Sequence, residues 1–80
     1  MRLPRDLSGE DLVRHLCKRW GYLRIHQVGS HVILQTQHPA PHRIAVPAHS
    51  PLRIGTLNAI LASIAAQKNV TRDAILKDIR

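Results

Sequence analysis

Apolar residues recur along this chain at two different periods, and the switch between them marks out the elements. From Ser8 the spacing is helical. Leu12, Val13, Leu16, Cys17 and Trp20 form one stripe, with Arg14, His15, Lys18 and Arg19 lying off it. Ser8, with Asp11 three residues later, reads as an aspartate variant of the capping box. Gly21 is placed to close this helix in a left-handed conformation. From Tyr22 the period becomes two. The segment 22–26 alternates, with Leu23 and Ile25 expected on a buried face and Tyr22, Arg24 and His26 on the other. Residues 27–30 are expected to turn, Gly29 supplying the positive φ. A second strand then runs over 31–37, with Val32 and Leu34 inward and His31, Ile33 and Gln35 outward. A proline-punctuated turn covers 38–42. A third strand covers 43–46, with Ile44 and Val46 inward and Arg43 outward, and Pro47 stops it.

Helical spacing returns from about Thr56 to Lys68, where Leu57, Ile60, Leu61 and Ile64 form the stripe and Asn69 can end the helix. Thr71 then caps a short last helix, and Ile75, Leu76 and Ile79 are available to dock it, which a helix this short requires. The expected class is α+β: helix, three antiparallel strands, helix, plus a short C-terminal helix. Both long helices need an apolar surface, and the sheet offers one, so they are expected on one face with the other open to water. The 80 residues fit a single domain, with 1–7 as an N-terminal arm and 70–80 as a helical extension.

Composition narrows the partners. Hydrophobic residues make up 44% of the chain, which argues against disorder, and with one Trp, one Tyr and no Phe the core must be aliphatic. One cysteine, Cys17, forms no intramolecular disulfide. It sits on the first helix's apolar stripe, where a packing role is expected. Neither a signal peptide nor an apolar run of membrane-spanning length is visible, and a cytoplasmic protein without a membrane partner is expected. Twelve Lys and Arg against five Asp and Glu leave a net charge of +7, and most of the cations are arginine. Arginine forks match phosphate oxygens, so a nucleic-acid partner is expected.

The opening hairpin raises the chemistry. A four-residue loop at 27–30 would set His26 opposite His31, Arg24 opposite Ile33 and Tyr22 opposite Gln35, with Arg43 alongside on the third strand. Such a face carries imidazoles for proton transfer near neutral pH and cations to hold phosphate. RNA cleavage through the 2′-hydroxyl needs little more. No metal or small-molecule cofactor is signalled. His38, His42 and His49 are spread over turns without a carboxylate or cysteine, a poor basis for a zinc site.

Three segments resemble one family. Gly29-Ser30-His31 resembles the Gly-Ser-His motif of the HicA toxins of bacterial toxin–antitoxin systems. Ile44-Ala45-Val46-Pro47 with His49 resembles that family's V-x-V-P-x-H segment. Ile54-Gly55-Thr56-Leu57 followed by Ile60-Leu61 resembles its K-G-T-L-x-x-I-L segment. The likeness runs in order over nearly the whole chain. It departs where His26 stands in place of a common Arg, Val32 in place of a frequent second His, and Arg53 in place of Lys. The resemblance implies a double-stranded-RNA-binding-domain-like αβββα fold. It also implies an mRNA-cleaving ribonuclease held inactive by a HicB-type antitoxin. It assigns catalysis to His31 and its presentation to Gly29 and Ser30. The residue reading adds Arg24, His26 and Arg43 as RNA-binding groups. The alternatives are a non-catalytic RNA- or DNA-binding module on the same fold, a decayed toxin, or a protein-interaction domain.

Overall fold

The computed structural model describes residues 3–79; Met1 and Arg2 of the arm and Arg80 of the extension lie outside the described residues. The element order is α1 (Gly9–Arg19), β1 (Leu23–Val28), β2 (His31–Thr36), β3 (His42–Pro47), α2 (Ile54–Lys68) and α3 (Arg72–Leu76). The strands form one antiparallel sheet in the order β1-β2-β3. This is the αβββα arrangement with a short C-terminal helix that the change of hydrophobic period predicts.

The helix ends form as their residues dictate. Ser8 accepts from the Asp11 amide at 3.0 Å, and the Asp11 carboxylate accepts from the Ser8 amide at 3.3 Å, completing the capping box. Gly21 follows α1 with φ 72°, and Asn69 ends α2 in the left-handed region at φ 57°. Thr71 caps α3 by accepting from the Ala74 amide. The core is aliphatic. Leu12, Leu16, Val32, Leu34, Val46, Leu57, Leu61 and Ile64 are fully buried between the helices and one face of the sheet. Each such side chain contributes about 1.5–3 kcal/mol on burial.

Three features differ from the sequence reading. The arm is anchored, because Leu7 is fully buried and its carbonyl accepts from the Leu52 amide at 2.7 Å. His15, expected off the apolar stripe, is buried and donates from Nε2 to the Ile75 carbonyl at 2.6 Å, pinning α3 to α1. Phase is the third difference. Tyr22, expected outward, is fully buried, while Leu23 and Ile25, expected inward, are exposed. Turned inward, the Tyr22 phenol reaches a polar partner, the half-buried His42.

A seam of backbone contacts joins the two ends of the sheet-and-helix sandwich. The Gly9 amide donates to the His49 carbonyl at 2.8 Å, and the Ala48 amide donates to the Ser30 carbonyl at 2.6 Å. The approach at Gly9 is closer than any side chain allows, since a Cβ there would lie 1.9 Å from the Pro47 carbonyl oxygen. At Gly55 a Cβ would meet nothing. Gly9→Ala is therefore expected to lose about 3 kcal/mol of stability, as overpacking against backbone does, with a lower denaturant midpoint. Gly55→Ala, in a helix that gains from alanine, should hold or slightly raise it.

Candidate nucleic-acid interface on the open sheet face

The hairpin between β1 and β2 turns through two residues rather than four. Gly29 takes φ 58° at the first position, with Ser30 second, and Val28 pairs with His31. Positive φ at the first position is the glycine signature of a type II′ turn. Going back along β1, Gln27 pairs with Val32, His26 with Ile33, Arg24 with Leu34 and Leu23 with Gln35. Ile25 has no partner of its own, which places a bulge between Arg24 and His26.

That bulge decides which groups reach the open face. β2 and β3 behave as expected: Val32, Leu34, Ile44 and Val46 are buried beneath the helices, and His31 and Arg43 are exposed on the other side. The register then gives three rungs across the open face: Val28, His31 and Pro47; His26, Ile33 and Ala45; Leu23, Gln35 and Arg43. Arg43 spans its rung, donating to Gln35 Oε1 from Nε at 3.1 Å and from Nη2 at 2.7 Å.

Of the expected site residues, His31, His26 and Arg43 share this face. Gly29 and Ser30 form the turn that presents His31, and the bond from Ala48 to the Ser30 carbonyl steadies it. The expected pairing of His26 with His31 is corrected. His26 opposes Ile33 and is a diagonal neighbour of His31, a relation that sets the two residues roughly 7–8 Å apart. Among the described residues no side chain hydrogen-bonds either ring, so both imidazoles are open to solvent and to a ligand.

Arg24 is corrected more thoroughly. It pairs with Leu34, so it belongs to the helix side of the sheet. Its guanidinium donates to Glu10 Oε2 at 3.4 Å and to Gln27 Oε1 at 3.0 Å. The phase set by Tyr22 puts Arg24 on the wrong side for His31, and the bulge then restores His26 to the open side. His49 is exposed on the loop after β3, and its carbonyl serves the Gly9 contact.

Tyr22 heads a second polar cluster, on the helix side. Burial pushes its phenol up to about 12, so the group is neutral. The phenol lies 2.9 Å from His42 Nδ1, and His42 Nε2 lies 3.1 Å from Ser63 Oγ on α2. His42 thus bridges the phenol and Ser63. Lys68 stands 5.1 Å from the centre of the Tyr22 ring and donates to Thr36 Oγ1 at 3.0 Å. Burial lowers its ammonium from the usual lysine value. The cluster ties the start of β1 to β2, β3 and α2. An aromatic next to a helix-closing glycine, with a histidine twenty residues on, gave no sequence signal for it.

Among the described residues no group of three His, Cys, Asp or Glu side chains is placed to hold a metal ion, and no helix is long and apolar enough to cross a membrane. No family model, curated protein or solved structure matches the chain.

Tyr22 is the one tyrosine, so its ionisation is directly readable. Phenolate absorbance in the folded protein should rise with a midpoint near 12, against the ordinary value of 10 in denaturant. An acid whose folded pKa is raised contributes stability in full below pH 10 and loses it as pH climbs toward 12. Tyr22→Phe should remove that alkaline dependence and lower stability at neutral pH by about 1 kcal/mol through the lost hydrogen bond.

Proposed function

We propose that this protein is an endoribonuclease of the HicA toxin type, acting on mRNA without a metal. His31 is its general acid or base. The observation that carries the reading is the shared placement of His31 and His26 on one open, cation-bearing face, diagonal to each other, with both rings free. In the reaction, a 2′-hydroxyl attacks the adjacent phosphorus. The new 2′-O–P bond forms as the P–O5′ bond breaks. One imidazole takes the 2′-hydroxyl proton, and a second group returns a proton to the departing 5′ oxygen. Two imidazoles set apart diagonally can straddle a phosphodiester. His26 is thus placed for the second transfer or, protonated, to hold phosphate. Arg43, one rung beyond, is the arginine of this face. Arg24 is not proposed as a phosphate ligand.

The three motif segments support this reading through the places they occupy. Gly29-Ser30-His31 is a turn and the first residue of β2. Ile44–Pro47 supplies the central and last residues of β3, and Ile54-Gly55-Thr56-Leu57 opens α2. The charge of +7 suits both an RNA substrate and an acidic antitoxin. The cytoplasm is the compartment this activity requires. A binding module without catalysis would need the basic face but not an unencumbered histidine at a turn.

Incubation with a long single-stranded RNA in the presence of EDTA tests the proposal. Wild type should yield fragments ending in 2′,3′-cyclic phosphate or 3′-phosphate. His31→Ala should slow cleavage by about a hundredfold or more while keeping the fold and the affinity for RNA. Equal cleavage by both proteins rejects the assignment of His31. Salt-dependent binding without any product supports the binding module instead. On RNA binding, Arg43→Ala should shallow the log K against log salt slope by about 0.7, the loss of one phosphate contact to a single strand. Arg24→Ala should leave that slope unchanged.

A further inference from the structure

A shallow groove lies at the end of the β1-β2 hairpin away from the Gly29-Ser30 turn. It is lined by Leu23 and Ile25 of β1, by Gln35 and Thr36 at the end of β2, and by Gln37 and His38 beyond it. Its volume is about 160 Å³. That is below the roughly 300–1,000 Å³ of pockets for drug-sized ligands and suits a single ring. Leu23 and Ile25 are exposed by 69% and 44%, apolar surface that the proposed chemistry does not use. No carboxylate lines the groove.

Gln35 gives the groove a fixed polarity. Arginine carries only donors, so the Gln35 atom that Arg43 meets from both Nε and Nη2 is the carbonyl oxygen Oε1. Those two bonds use both lone pairs of Oε1. The Nε2 group has no partner among the described residues, so Gln35 is held there as a donor only. A free glutamine amide reads adenine by accepting from N6 and donating to N7. Gln35 cannot accept, and adenine loses that pairing. A base with a carbonyl oxygen suits Nε2, and uracil carries one on each side of its N3. Arg43 keeps Nη1 uncommitted beside this amide, a cation for the phosphate of the same nucleotide.

We propose that this groove is a base-reading site for unpaired RNA. Leu23 and Ile25 pack on one nucleobase, Gln35 Nε2 donates to its carbonyl oxygen, and Arg43 takes its phosphate. Uracil is favoured over adenine. A duplex does not enter, because a paired base stays stacked with its edge engaged by its partner. Gln35 and His31 share the open face at opposite ends of β2, about 13 Å apart along the strand. The base read therefore flanks the cleaved linkage. That consequence rests on the ribonuclease reading; the base site needs only that the chain binds RNA.

The test measures binding of the full chain to short oligomers of uridine, of adenosine and of abasic ribose. All are 2′-O-methylated, so the blocked 2′-oxygen cannot attack and binding is read apart from cleavage. Self-stacking of the adenosine oligomer is the same for every protein variant, so the uridine-to-adenosine affinity ratio is compared between variants. Gln35→Leu should lower that ratio about fivefold, the worth of one net hydrogen bond. Leu23→Thr/Ile25→Thr keeps strand propensity and charge. It should weaken both base-bearing oligomers at least threefold and leave the abasic one unchanged. Uridine monophosphate should bind far more weakly than the oligomer. The proposal is overturned if Gln35→Leu leaves the ratio as it is in wild type, or if wild type binds the abasic oligomer as tightly as the uridine one. Equal affinity for the monophosphate and the oligomer overturns it too, since the ligand is then a free nucleotide. Base preference in these oligomers, with unmodified RNA left uncut, would reject the ribonuclease reading and leave the base site standing.

Discussion

The rest of the structure depends on the contact of Gly9 with the chain after β3. The first turn of α1 lies against the Pro47 carbonyl with no room for a Cβ, and its amide is bound by His49. The neighbouring Ala48 amide reaches the Ser30 carbonyl in the hairpin turn. One short segment therefore fixes two things: where α1 sits on the sheet and how the Gly29-Ser30 turn is held. His31 follows that turn directly, so its position depends on a glycine at the start of a helix, far away in sequence.

The helix stripes were legible because period 3.6 leaves little ambiguity. Leu12, Val13, Leu16, Leu57, Ile60, Leu61 and Ile64 are all buried where the spacing put them. β2 was equally plain, since Val32 and Leu34 share one parity while the other holds Ile33 between the polar His31 and Gln35. β1 was not, because Tyr22, Leu23 and Ile25 are all apolar enough to bury and lie on both parities. Hydrophobicity favoured the two aliphatics. The hydrogen bond to His42 and the Lys68 ammonium above the ring favoured tyrosine, and neither partner is near it in sequence. The bulge also left no local mark, with neither glycine nor proline at Ile25. His15 was missed for a related reason: its partner is the Ile75 carbonyl, a group that carries no sequence identity.

The open face that results is more divided than a uniformly basic RNA surface. Its cations are few and spaced apart, and aliphatic side chains fill the gaps on β1. The cations of α1 are partly engaged at home, Arg14 by Asp11 and Arg19 by Asp78, pairs worth little to stability at such exposure.

The bulge at Ile25 works as a slip joint in the hairpin. On one side of it the strand is keyed to the core through Tyr22; on the other it is keyed to the turn and, through Ser30, to the loop after β3. Each half keeps its own parity. Exchanges in the core beneath Tyr22 need not be transmitted to His26, and changes in the turn need not disturb the buried phenol. The end of the hairpin that carries the histidines can thus change in evolution without renegotiating the packing that holds the fold.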